Sequence, residues 1–200
     1  MLAYTYARGK SLEAGFKYLI LSATASATML MGMALIYSNT GTLSFRQIGM
    51  AIVPMFQNGI VMPILVVGTA LMLFGIAFKL SAVPFHTWTP DVYQGAPAPV
   101  ATFLGSVSKV AMMALGLRFL LSTATLALPS INTLIVVIAS LSMIIGNILA
   151  LRQQNIKRLL AYSSIAHIGY VLAIVSAVKV ESAGFVSLYM AVYAFTTIGA

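Results

Sequence analysis

Residues 66–121 hold two long apolar runs, each with a single lysine, on either side of a segment crowded with Pro84, His86, Trp88, Pro90, Asp91, Pro97 and Pro99. Lys79 stands about one turn before the first of these prolines. Lys109 stands near the middle of the second run, with no other charge within eight residues on either side. A lysine at the centre of a membrane helix costs about 3 kcal/mol on insertion scales, so such a residue marks a functional site unless it is paired.

Composition makes a membrane setting the first inference. Of the 200 residues, 60% are hydrophobic and 7% charged, against roughly 25% charged in ordinary globular chains. The apolar runs repeatedly exceed the roughly 20 residues needed to cross a bilayer core. The short alternating segments of a membrane barrel are missing. The expected fold is therefore all-α: a polytopic transmembrane helix bundle in contact with the lipid bilayer, with residues 1–200 forming one transmembrane domain. The net charge of +8 is divided between short connections and span interiors. It fits the positive-inside rule and offers no basic face for nucleic acid. The chain has no cysteine, which excludes a disulfide framework and cysteine-held zinc or iron–sulfur sites. No signal peptide opens the chain, because Arg8-Gly9-Lys10 follows too closely on Met1. Both ends read as the interior of spans, so an internal piece of a longer protein is expected.

In chain order, the first complete span is expected over 12–37. Its SATASATMLMGMA stretch suits close helix packing in lipid. Glu13 and Lys17 are spaced i, i+4 in the favourable order, and Lys17 is near enough to the span edge to snorkel. Residues 38–62 form a polar-to-amphipathic connection with room for a short interfacial helix, and turn signals at 39–41 and Asn58-Gly59. The second span begins near Pro63 and runs through Lys79 to about Ala82. Pro84 then opposes helix continuation, and a short helical piece follows that ends at Gly95. A third span lies over 100–121, a fourth over 131–151, with Asn147 available to bond between helices, and a fifth over 159–178. The fifth carries Tyr162, Ser163, Ser164, His167 and Tyr170. A sixth starts near Gly184.

Charge placement bears on whether residues 63–95 make one interrupted crossing. If they do, Arg8, Lys10, Arg152, Lys157 and Arg158 share one side, and Arg46, Arg118 and Lys179 lie opposite. Five cations against three, with the five cytoplasmic, support a discontinuous helix around residues 63–95. Broken helices at membrane depth are tolerated only where protein or a water-filled cavity solvates the freed backbone, and in transporters they point to the ion or substrate site. Pro84 and Pro90 are expected to hold this break open.

Glu13, Asp91 and Glu181 are the only acids. There are no paired carboxylates, activated nucleophile, phosphate loop or dinucleotide fingerprint. What the chain offers is a series of ionisable groups at membrane depth: Lys79, His86, Lys109 and His167. Histidine changes charge near neutral pH, and a desolvated lysine moves toward the range where it exchanges protons. Taken alone, these residues fit an ion-coupled transporter or a proton channel. A purely structural scaffold is disfavoured by two isolated lysines within spans.

The stretch GIAFKLSAVPFHTWTPDVYQGAPAPVATFL (75–104), followed by Ser108-Lys109 and NIKRLLAYSSIAHIGY (155–170), resembles the antiporter-like membrane subunits of proton-pumping NADH:quinone oxidoreductase, respiratory complex I. The Trp-Thr-Pro-Asp-Val-Tyr-Gln-Gly-Ala-Pro turn (88–97) is most similar to the subunit N (chain 2) branch of that family. Its paralogues M and L usually have Trp-Leu followed by Pro or Ala there. The resemblance runs through all 200 residues and covers the middle of such a subunit.

That resemblance implies a proton relay through Lys79 on the discontinuous helix, Lys109 on the next helix, His86 after the break, His167, and Lys17 early in the preceding helix. It places the acidic partner of Lys79 and a second broken helix outside this chain. It implies a function in coupling electron transfer from NADH to quinone to proton translocation in the bacterial inner (plasma) membrane, with other antiporter-like and small membrane subunits as partners. No cofactor or metal is expected on this chain; NADH, FMN, the iron–sulfur clusters and quinone belong to other subunits. The alternative is a subunit of a multisubunit Na+/H+ antiporter, which shares the fold and the lysines. The Trp88–Tyr93 turn favours the oxidoreductase.

Overall fold

A computed structural model describes residues 9–57, 62–123, 125–178 and 182–200. Among these residues every regular element is a helix, with these α-helices: α1 (Gly9–Thr40), α2 (Phe45–Gln57), α3 (Pro63–Leu80), α4 (Trp88–Gly95), α5 (Ala98–Gly105), α6 (Val107–Ser122), α7 (Pro129–Leu151), α8 (Ile156–Val178) and α9 (Ser182–Gly199). Five stretches are long and apolar enough to cross a membrane: residues 11–40, 63–80, 98–122, 129–151 and 156–177. Large apolar side chains such as Phe16, Leu19, Leu30, Val137 and Ile148 are exposed on their outer faces, as lipid contact requires. Arg8, the Asn58-Gly59 turn, and Lys179 and Glu181 of the connection before α9 fall outside the described residues, as does the side chain of Lys10.

Small residues decide how closely the helices pack. In α1 and α3, Gly32 and Gly68 sit back to back, and a Cβ on Gly32 would lie 2.6 Å from the Gly68 carbonyl oxygen and 2.7 Å from the Met72 nitrogen. Further along, Gly75 faces Ala25 and Met29, so the two helices run antiparallel. α7 and α8 form a second such pair, with Gly146 against Ala166, and Gly169 against Ala139 and Met143. The main core is Leu65, Met72, Ile76, Leu80, Met113, Phe119, Ile135, Ile138, Ile168, Val171 and Val175. It fills the space between α3, α6, α7 and α8.

The second crossing is broken, as expected. α3 stops at Leu80 with Ser81 in the left-handed conformation (φ 64°, ψ 30°). The Ala82 N–H reaches the Ala77 carbonyl at 2.8 Å and the Ser81 N–H reaches Phe78 at 3.0 Å. This is a Schellman closure with serine where glycine is usual. The helix therefore ends four residues ahead of Pro84, whose peptide bond with Val83 is cis. Pro90 lies in the first turn of α4, where a missing N–H costs little.

One crossing, not two, is what the contacts require. At the α4 end, Asp91 meets Lys17 of α1 and Arg158 of α8, and Lys157 donates to the Ala96 carbonyl. At the opposite end, Phe45 of α2 packs edge-on against Phe119 of α6, which gathers Arg46 and Arg118 there. The amphipathic connection holds the short helix α2, which buries Ile48 and Ile52. The third crossing departs from expectation: it is interrupted at Ser106 (φ −106°, ψ −81°) between α5 and α6.

Candidate functional site

That interruption lies three residues before Lys109. Around Ser106 the backbone leaves ideal helical geometry, and the Gly105 carbonyl accepts a hydrogen bond from the Tyr193 hydroxyl of α9 at 2.9 Å. Side-chain insertion of this kind is an ordinary cause of a helix kink. Lys109, on the first turn of α6, is 0% exposed and among the largest fully buried side chains of the described residues. Its Nζ donates to Ser164 Oγ of α8 at 2.8 Å. Ser164 in turn donates to the Ala161 carbonyl at 2.7 Å. One turn along α8, His167 Nδ1 meets the Tyr189 hydroxyl at 2.6 Å, and its ring packs against Tyr170, Tyr189 and Tyr193.

A half-open crevice of about 390 Å3 runs beside this cluster, with Tyr93, Ser163, Ser164, His167, Tyr193 and Lys157 on its walls. A single water needs about 10–15 Å3 of such space, so the crevice has room for several. The arrangement is thus a buried lysine amine on a serine hydroxyl, with an imidazole one turn away along α8 beside a largely apolar crevice. No carboxylate faces Lys109 among the described residues, and the Ser164 hydroxyl takes the place of an ion-pair partner.

The other expected site residues lie elsewhere. Lys79, in the last turn of α3, is half-buried with its Nζ 5.7 Å from the centroid of the Tyr18 ring. That contact stabilises a cation by about 0.5–2 kcal/mol. His86 sits in the turn between α3 and α4, with Nδ1 buried and without a hydrogen-bond partner. Lys17 is bound at 2.7 Å to Glu13 and at 3.0 Å to Asp91. With 43% of its side chain exposed, it sits at the rim and does not join the Lys109 cluster. Asn147 bonds across to the Tyr170 hydroxyl of α8 at 2.9 Å, which makes Tyr170 a link between helices.

Two groups escaped the sequence. Asp91 bridges Lys17 and, at 2.8 Å, Arg158; the partners are 74 and 67 residues away, and no local spacing announces them. Tyr189 and Tyr193, spaced i, i+4 on α9, share a face toward His167, a pattern that could have been found beside the histidine.

A protein-family model described as "NADH:quinone oxidoreductase/Mrp antiporter, TM" matches residues 1–200. The chain belongs to the NADH:quinone oxidoreductase/Mrp antiporter membrane family. This family member is 60% identical over its full length to NADH-quinone oxidoreductase subunit N of Psychrobacter arcticus, of which it covers 40%. It is 52% identical to the subunit N of Acinetobacter baumannii, covering 39% of that chain. It thus spans about two fifths of the curated relatives it matches. In structure it is similar to a chain of respiratory complex I from Thermus thermophilus (TM-score 0.78, 37% identity, 96% of this chain and 40% of that one). A chain of the Mrp complex from Dietzia sp. shares its fold (TM-score 0.84, 24% identity, 94% of this chain and 34% of that one). The oxidoreductase/antiporter family's helix bundle is therefore the frame in which Lys109, Ser164 and His167 meet.

Proposed function

We propose that this chain is the central part of a subunit N of proton-pumping NADH:quinone oxidoreductase, a membrane-arm subunit of the bacterial plasma membrane. The observation that carries this is 60% identity to a subunit N across every residue of the chain. In this proposal NADH oxidation and quinone reduction, with FMN and the iron–sulfur clusters, take place in other subunits of the complex. This chain packs against other membrane-arm subunits and handles protons.

Within it, Lys109 is the loading site. Its ammonium gives a proton to water in the crevice or along the Ser164 hydroxyl, and the neutral amine takes one back. His167, hydrogen-bonded to Tyr189, passes protons along α8, and His86 and Lys79 serve the broken crossing. Lys17 stands at the rim of the path. Electrostatic change in neighbouring subunits sets whether each lysine holds its proton.

The test uses the full-length subunit in its complex, assayed in membranes with NADH and a quinone while the pH gradient is followed. Lys109→Ala assembles, because an apolar residue is cheaper at a buried position, and loses most of its proton pumping. Lys109→Arg fares as poorly, since a guanidinium hardly releases its proton. An assembled Lys109→Ala complex that pumps fully would remove the relay assignment. Intact NADH-independent cation exchange by the same membranes would point instead to an antiporter.

A further inference from the structure

Tyr93 has no role in the relay described so far, yet the residue borders the crevice, and its hydroxyl is buried without a hydrogen-bond partner. The residue as a whole is 5% exposed. A buried hydroxyl without a partner costs about 1–3 kcal/mol, so the position needs an explanation. The hydroxyl lies against the kink before Lys109: a Cβ placed on Gly105 would be 2.7 Å from it. Gly105 and Lys109 are four residues apart, on either side of the interruption at Ser106.

Counting donors gives the hydroxyl a task. The Lys109 ammonium has three N–H groups, and among the described residues Ser164 is its one hydrogen-bond partner. Ser164 already uses its own proton on Ala161. Tyr193 spends its proton on Gly105 and can only accept. The Tyr93 hydroxyl, buried and without a partner, can still both donate and accept.

We propose that Tyr93 is a positioning residue for Lys109, its hydroxyl on the half-helix α4 supplying a hydrogen bond that steadies the buried Lys109–Ser164 pair beside the crevice. The inference rests on Lys109 being the loading site. It gives the broken crossing a function in the third crossing's chemistry: α4 carries Tyr93 in and is held in place by its own charges. Asp91, two residues earlier, is clamped by Lys17 and Arg158, and Lys157 grips the Ala96 carbonyl at 2.9 Å. Moving α4 relative to α8 moves Tyr93 away from Lys109 and interrupts the path.

The test is Tyr93→Phe in the full-length subunit, in membranes with NADH, a quinone and a pH indicator, alongside Lys109→Ala and the double variant. The ring is kept and only the oxygen is lost, so normal assembly is expected. Pumping falls about tenfold, the effect of losing one hydrogen bond to a charged group. Its pH profile moves by about half a unit or more, since the hydroxyl favours one protonation state of Lys109. The groups that face Tyr93 across the site, and whose titration the profile also reports, are Lys109, His167, Lys157 and Tyr193. The double variant is no worse than Lys109→Ala. Wild-type pumping with an unmoved profile in Tyr93→Phe, while Lys109→Ala is inactive, overturns this inference and leaves the relay standing. A Tyr93→Phe complex that does not assemble also overturns it, making the hydroxyl a structural requirement. Full activity in Lys109→Ala removes the relay itself.

Discussion

The Val83 N–H donates to Ser142 Oγ across 2.9 Å, both groups buried. A side chain from the fourth crossing thereby satisfies the backbone that the break in the second crossing sets free. The break is closed on its other side by Trp88, whose indole N–H donates to the Phe78 carbonyl at 3.1 Å while its ring stacks on Phe78. In hydrocarbon such freed groups have no water to turn to, so the discontinuity exists because α7 and α4 supply partners for it.

Ser142→Ala should therefore destabilise more than an ordinary small-residue change in a span. It leaves the Val83 N–H buried and unpaired, a loss of about 1–3 kcal/mol. Thermal unfolding of the assembled complex in detergent should show a lowered midpoint, with Ser142→Thr closer to wild type. An unchanged midpoint in Ser142→Ala would mean that something else bonds Val83.

Gly32→Ala should separate the first two crossings. The new Cβ meets backbone atoms at 2.6 and 2.7 Å, and backbone cannot swing aside as a side chain can, so overpacking of about 1–3 kcal/mol is expected. Gly184 has nothing within 4 Å of the same added atom, and Gly184→Ala serves as the control. Measured as assembled complex per unit of membrane, the first variant falls and the second does not. Equal yields would contradict the close α1–α3 contact.

Removing Asp91 should matter more than removing Lys17. Asp91→Ala strips the partner from both Lys17 and Arg158, whereas Lys17→Ala leaves the Asp91–Arg158 pair intact. The groups are 27–43% exposed apart from Glu13, so each pair contributes only about 1 kcal/mol or less. Pumping by Lys17→Ala stays near wild type, while Asp91→Ala loses more, with the difference shrinking as salt is raised. A Lys17→Ala variant as inactive as Lys109→Ala would return Lys17 to the relay.

Much of the frame was readable in order along the chain. Apolar runs of about 20 residues can do little in water, so the crossings followed from their length. Pro84 and the polar turn after it marked the second crossing as broken, and the split of cations supported one interrupted crossing over two. The stop itself was less legible: the helix ends at Leu80 through Ser81 and not at the proline, because the closure is made by backbone bonds to Ala77 and Phe78. The interruption at Ser106 was less legible still, marked by no proline and only by the Gly105-Ser106 pair. It depends on a tyrosine hydroxyl 88 residues away.

The same division holds for the site. Lys109 stood out from sequence because a solitary charge amid apolar residues has to be used or paired. That its partner is Ser164, that Tyr93 faces the same spot, and that Lys17 belongs with Asp91 at the rim came only from the packing of α4, α6 and α8. Sequence by itself determined the crossings, the break and the lysine of interest, because hydrophobic length and local backbone chemistry act over one or two helical turns. Tertiary structure alone decided which polar groups meet, because in a bundle of antiparallel helices each contact joins residues dozens of positions apart, and side-chain size at the crossings sets how close they come.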